Sequence, residues 1–400
     1  MNIPLSEFAS RRQKLFKSLN GAAGVVFAGE GAPPLLGKWR PDQNFFYLTG
    51  IDNEPGGAVL FDPSADDPKQ RIVLFLRPLN AEMERWDGYR EQIGPDLKKR
   101  TGFDAVYRSN VLPARLTNVA RRTKKLACLH PFAIYPATVS PDLDAFRKVA
   151  ERVPGVAIED RTQLLPQLRS IKSSAELKLM RKAIDATAAG YKAAMKIIRP
   201  GASEGQIAQT LEDAYRAQGG TGLAYNSIVG AGLNGTVLHY MSNDGTLQAG
   251  DLLVIDSGAE FAGYASDVTR TFPASGKFTS EQRDAYDVVL KSQLAAIKAV
   301  RPGVKMFQVD QAARNVIDKA GLGHAFIHGV GHQLGIEVHD VTPDGALKEG
   351  MVITIEPGVY RPEKKMGIRI EDDILVTRRG SENLTSAIPK SVKDIETRMR

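Results

Sequence analysis

One cysteine in 400 residues is the sharpest deficit of this chain. A lone Cys128 excludes an intrachain disulfide and any C-x-x-C metal site, and its setting in L-A-C-L predicts a small core residue. Long apolar runs are missing as well. No stretch approaches the roughly 18 residues of a membrane span, and the start M-N-I-P-L-S-E-F-A-S-R-R has no apolar region. A cytoplasmic protein with no membrane partner is the expectation. The absence of H-E-x-x-H removes a helix-borne single-zinc site. Charge of one sign is scarce in the larger part of the chain: residues 171–400 carry 28 basic and 27 acidic side chains, so the formal +7 belongs mainly to residues 1–170, with 25 and 19. The densest basic runs there, R-R-T-K-K at 121–125 and K-K-R at 98–100, lack interleaved aromatics, which predicts a solvated face and no nucleic-acid partner.

What is present is an ordinary globular composition, 42% hydrophobic and 25% charged, with enough chain for two or three domains. Short apolar runs such as A-G-V-V-F-A, A-V-L-F and R-I-V-L-F-L alternate with helical and loop segments over the first 130 residues, predicting a mixed α/β domain. A Pro-bearing passage from Val153 to Pro166 then precedes a long helical pattern in which Ser173 or Ser174 caps and Glu176 faces the N-terminal dipole. The boundary is placed at 165, giving domains 1–165 and 166–400.

The second domain repeats itself. I-I-R-P-G, His239 and L-Q-A-G-D-L-L-V-I-D-S-G in 197–260 return as A-V-R-P-G, His339 and L-K-E-G-M-V-I-T-I-E-P-G in 299–360, offset by 102 residues at R-P-G and 100 afterwards. Asp256 and Glu356 are therefore equivalent acids on equivalent strands, each seventeen residues after a histidine, and a duplicated unit brings such acids to one site on a pseudo-two-fold axis. Asp267 joins them through L-L-V-I-D-S-G-A-E-F-A-G-Y-A-S-D-V-T-R-T-F, read as a hairpin turning near Phe261 to Gly263. A symmetric hairpin puts 256 opposite 267, with Cβ atoms about 4.5 to 5.5 Å apart, a spacing suited to a shared metal pair. Taken alone, the fragment is equally readable as two surface acids. With His332 and Glu371 the set becomes four carboxylates and one imidazole, a donor group for two divalent cations, manganese first and cobalt or zinc possible. Two other patterns are decoys. G-A-S-E-G at 201–205 follows a helix rather than a strand, so Ser203 with Gln206 is expected to form a capping box, and G-A-G-L-N-G at 230–235 lacks the helix of a dinucleotide site.

The stretches L-H-Y at 238, D-S-G-A-E at 256, S-D-V-T-R-T-F at 266, I-H-G-V-G-H-Q-L-G-I-E-V-H-D at 327, I-E-P-G-V-Y at 355 and I-R-I-E-D-D at 368 resemble the pita-bread metallopeptidase family, with its aminopeptidase P and prolidase branches. The likeness is dense over 170–400 and thinner in front, through R-P-D-Q-N-F-F-Y-L-T-G at 40 and L-F-L-R-P at 74. It implies a creatinase-like α/β N-terminal domain before an α+β pita-bread catalytic domain. It further implies two manganese ions bridged by water or hydroxide, Asp256 on one metal, Asp267 and Glu371 bridging, and His332 with Glu356 completing the set. Glu356 would be the general base, and His328, His339 and, from the opposite wall, His239 would bind substrate and stabilise the transition state. Arg369, two before Glu371 and expected on the same face of one strand, and Tyr360 match positions that orient ligands or the substrate end.

The implied activity is hydrolysis of the bond before proline, at peptide N-termini or in Xaa-Pro dipeptides. Prolidases usually carry an arginine shortly before E-P-G. This chain has only Lys348 between His339 and Glu356, while Asn44 replaces the usual aspartate of aminopeptidase P, with Asp42 displaced two residues and Arg40 available as a carboxylate anchor. The partners expected are small proline-containing peptides and further copies of the chain, as a homodimer or higher homo-oligomer. A metal-free creatinase-like amidinohydrolase and a non-catalytic pita-bread binding module are the rival readings, both opposed by the complete donor set.

Overall fold

The computed structural model describes residues 3–31 and 39–399, which divide into two compact units, Ile3–Arg169 and the chain from Ser170 onward. In the first unit a six-stranded mixed sheet runs in the order Ala105–Arg108, Ile72–Leu76, Ala58–Phe61, Ala23–Phe27, Lys125–Cys128, Ala157–Asp160. The three apolar runs singled out above supply its central strands, and Val25, Leu60, Phe75 and Leu126 are buried, as near-continuous apolar strands must be when both faces are covered. Cys128 is buried at the end of its strand. Asp42 caps the helix Gln43–Thr49 by accepting from the Asn44 and Phe45 N–H groups, and Asn44 is buried, its Oδ1 accepting from Arg169 Nη1 at 2.8 Å. Both residues thus have local structural work, while Arg40 is exposed.

The second unit opens with the helix Ser174–Ala194, capped by Ser173 in a capping box with Glu176. The duplicated helices are Glu204–Ala217 and Met306–Lys319, each packed against a longer partner, Ser174–Ala194 and Ser280–Ala299. The expected Ser203 capping box does not form: Ser203 holds the cap position, but its hydroxyl bonds no helix N–H. Beside it the Glu204 N–H donates to the Gly245 carbonyl at 3.0 Å, a backbone strap at the helix start that no local pattern announces.

In each half an antiparallel pair forms the floor, Leu252–Asp256 with Thr269–Pro273 and Val352–Ile355 with Asp372–Thr377. The halves meet at 269–271 and 369–371. The Glu371 N–H donates to Thr269 O at 3.0 Å, the Arg369 N–H to Thr271 Oγ1 at 3.1 Å, and that hydroxyl to Arg369 O at 3.0 Å. Behind this seam Tyr191 donates to the Ile255 and Val268 carbonyls from a fully buried position. Among the described residues no helix is long and apolar enough to cross a membrane.

Candidate metal centre

The four acids stand at strand ends. Asp256 closes Leu252–Asp256, Asp267 precedes Thr269–Pro273, Glu356 follows Val352–Ile355, and Glu371 precedes Asp372–Thr377. In the second half Ile355 pairs with Asp372, so one step further along the ladder sets Glu356 opposite Glu371. The first half departs from the expected register. Phe261 pairs with Tyr264 and Asp256 with Thr269, not with Asp267. The cause is a two-residue turn at Ala262 and Gly263, with φ of 50° and 85°, which moves the hairpin centre one residue onward. Asp267 is left as a diagonal neighbour of Asp256 on the same face, still within reach for paired side chains. Arg369 and Glu371 also do not share one strand: Met366–Arg369 ends at Arg369, and Glu371 lies in the break before the next.

These acids nonetheless converge with the histidine. Asp267, His332 and Glu371 each offer one ligand atom, and the three atoms lie within 4.8 Å of one another. His332 Nε2 is 3.5 Å from Asp267 Oδ2 and 3.5 Å from Glu356 Oε1. Its Nδ1 lies 3.0 Å from the Gln333 carbonyl, which makes Nδ1 the protonated nitrogen and leaves the Nε2 lone pair facing carboxylate oxygens. Burial lowers the ring to about 4, so it does not answer those acids by becoming imidazolium. The carboxyls are strained in the same sense. Burial first and neighbouring acids second push Asp267 and Glu371 well above the ordinary range, and burial raises Glu356 to about 7. Electron pairs facing electron pairs in a desolvated cluster are what a bound cation relieves, and a ring N–H donated to a backbone carbonyl is the usual posture of a metal-ligating histidine. The donor set fits divalent metal.

The surrounding groups brace the acids. Arg369 is buried and gives Nη2 to Asp256 Oδ2 at 2.7 Å, Nη1 to Tyr360 Oη at 2.7 Å and Nε to Thr269 Oγ1 at 3.1 Å. Thr269 in turn donates to Glu371 Oε2 at 2.6 Å. His328 Nδ1 contacts the Gly329 carbonyl at 2.9 Å, so Nε2, at 2.9 Å from Tyr360 Oη, accepts the phenol proton. His339 is exposed, its ring centroid 4.2 Å from that of His332. His239 is exposed on the loop after Asn234–Thr236, and Arg369 Nη2 reaches the carbonyl of the preceding Leu238 at 3.5 Å. Lys348 is exposed in the turn before Val352–Ile355.

Sequence reasoning missed Tyr225. Its hydroxyl lies 2.5 Å from Asp256 Oδ1 and 2.5 Å from Asp267 Oδ1, bridging the acids that the hairpin register leaves diagonal. No spacing rule points to it, since its partners are 31 and 42 residues away.

The chain is similar to known proteins over nearly its whole length. Residues 178–378 match metallopeptidase family M24, and residues 8–127 match the aminopeptidase P N-terminal domain. The chain is 34% identical to a Xaa-Pro aminopeptidase of Haemophilus influenzae, covering 99% of this chain and 98% of that protein. It is 37% identical to a Xaa-Pro dipeptidase of Pyrococcus horikoshii over 86% of this chain and 90% of the relative. The structure of zinc-substituted Escherichia coli aminopeptidase P in complex with product superposes with a TM-score of 0.87 at 30% identity, covering 100% of this chain and 99% of that one.

Proposed function

The chain belongs to metallopeptidase family M24, with the pita-bread fold behind an aminopeptidase P N-terminal domain, and from that premise we propose how its residues divide the labour. It is a metal-dependent exopeptidase hydrolysing Xaa-Pro peptide bonds. The observation that carries the site assignment is the His332 lone pair set against Asp267 and Glu356. Asp256, Asp267, His332, Glu356 and Glu371 hold two divalent ions, manganese by the hardness of the donors. When bound, such a pair polarises the substrate carbonyl and lowers the pKa of a water.

Glu356 accepts the proton released on attack, since its carboxylate edges the cluster at 3.5 Å from His332 Nε2. The Tyr360 hydroxyl, accepting from Arg369 and donating to His328, holds that ring in place at the substrate end, and His339 and His239 supply the donors for charge developing on the carbonyl oxygen. Arg369 orients Asp256 more than it meets substrate, because all three of its nitrogens already donate, to Thr269, Tyr360, Asp256 and the Leu238 carbonyl. Proline suits such a site because the tertiary amide has no N–H to satisfy.

Substrates of three or more residues are favoured over dipeptides. Lys348 is exposed in a turn, and the span before Glu356 offers no arginine as a carboxylate clamp. The alternative anchor is Arg40. Residues 1–165 then form the N-terminal domain and 166–400 the catalytic one. Exposed Trp86, Tyr89 and Tyr135 on the first unit support a homodimer or larger homo-oligomer, and the single buried thiol suits the cytoplasm. Cleavage of a Xaa-Pro-Xaa tripeptide and a Xaa-Pro dipeptide, measured side by side with manganese, tests the reading. The tripeptide is expected to be cut at least as fast; a strong dipeptide preference, abolished by neutralising Arg40 or Lys348, would reverse it.

A further inference from the structure

Glu204 is fully buried at the start of the helix Glu204–Ala217, yet it carries none of the chemistry assigned above. Its carboxylate is the hub of the loop that bears His239. Oε1 accepts from the Ala231 N–H at 2.7 Å and from Asn234 Nδ2 at 3.1 Å, and Oε2 accepts from the Gly245 N–H at 2.7 Å and lies 2.9 Å from the Tyr240 hydroxyl, whose proton is shared with Asp244 Oδ1 at 2.6 Å and whose oxygen accepts from Asn234 Nδ2 at 2.9 Å. The loop therefore leaves and returns through one pair of oxygens, and Tyr240 is the residue directly after His239. Gly245 belongs to the same device: a Cβ there would meet the carboxylate at 2.7 to 2.8 Å, so the backbone closes directly on the charge. On its far side the loop packs against the strand Met366–Arg369, where a Cβ on Gly367 would lie 1.8 Å from Gly235 O. Charge-assisted bonds to a buried carboxylate are the strong kind, and losing the acceptor leaves buried backbone donors unpaired.

We propose that Glu204 is the positioning residue for His239, fixing the exposed histidine beside the metal cluster by gathering both ends of its loop onto one buried carboxylate. The inference rests on the assignment of His239 to the substrate side of the site. It excludes the simpler view of Glu204 as a helix-start residue only, because a helix cap would not need the loop's side-chain donors.

The test is a double-mutant cycle on the metal-loaded full chain with a Xaa-Pro-Xaa tripeptide, comparing Glu204→Gln, His239→Ala and the double variant, with hydrogen exchange of residues 231–245 as a second readout. Glu204→Gln is expected to lower kcat/KM by about 10- to 100-fold, the cost of misplacing a catalytic group by an ångström or so. It should add less than about threefold in the His239→Ala background, since coupled residues are non-additive, and it should speed exchange in 231–245 while leaving Leu252–Asp256 protected. Equal losses in both backgrounds, or an unimpaired Glu204→Gln, overturn the proposal. An impaired His239→Ala beside an unimpaired Glu204→Gln leaves the histidine in place and removes Glu204 alone. A fully active His239→Ala beside an impaired Glu204→Gln refutes both. If Glu204→Gln fails to fold, Tyr240→Phe carries the same cycle: an expected loss of about two- to tenfold, from removing the hydroxyl shared by Glu204, Asp244 and Asn234, must vanish in the His239→Ala background, and its persistence there overturns the proposal.

Discussion

A histidine that has given one ring proton to a backbone carbonyl has one lone pair left, and its direction decides the ring's role. In His332 that lone pair meets two carboxylates, whereas in His328 it receives the Tyr360 hydroxyl. Burial lowers both rings to about 4, so they differ in partner rather than in protonation. His339→Ala is expected to lower kcat by about 100-fold, the scale of losing an oxyanion donor, and His328→Ala to lower it by leaving the Tyr360 hydroxyl without its acceptor, each with bound metal unchanged by elemental analysis. Activity restored to either variant by excess manganese would mean that the ligand histidine is misassigned. Tyr225 gives a sharper residue-level expectation. Tyr225→Phe keeps the ring but removes the hydroxyl shared by Asp256 and Asp267, and metal affinity, read by competition with a chelator, should fall about 10- to 100-fold as for other partners of metal ligands. Affinity equal to the parent would show that the phenol serves packing alone.

At the scale of elements, the strand Thr269–Pro273 of the first half is anchored to Asp372–Thr377 of the second by charge. Arg270 and Asp372 are fully buried and 2.7 Å apart, and Lys390 also reaches the carboxylate. Burial alone would raise Asp372, but Arg270 and then Lys390 outweigh it and hold the group at about 2. A folded value below the ordinary one stabilises above pH 3.8 and is lost as pH falls through about 2. That contribution is about 2 kcal/mol when complete. Asp372→Asn should cost about 3–5 kcal/mol in urea unfolding, because it leaves Arg270 buried without its counter-charge, and should flatten the acid limb between pH 4 and 2 to that extent. Unchanged stability would deny the pair any structural part. The duplicated helices and strands were legible because repeats and periodicity are local patterns. The hairpin register was not, since Ala262 in a positive-φ turn shifts it by one residue at the centre and two at Asp256. Nor was the missing Ser203 capping bond, the Gly245 strap beside it, or the reach of Tyr225 and Glu204 across the fold: long-range contacts leave no mark on neighbouring residues.

For the whole molecule, the claim is that hydrolysis of the bond before proline belongs to a cluster of four acids and one imidazole that cannot rest comfortably without cations. Activity, metal content and stability should then move together: chelation should abolish cleavage, and reloading should restore it together with a higher melting temperature, since ligands that bind only the folded state stabilise it. The most direct measurement is a titration of the metal-free chain with manganese, following cleavage of a Xaa-Pro-Xaa tripeptide and bound metal in the same samples. The account predicts no cleavage at zero metal and a rise that saturates at two ions per chain. Cleavage that survives complete metal removal, or that saturates at a single ion, would contradict it.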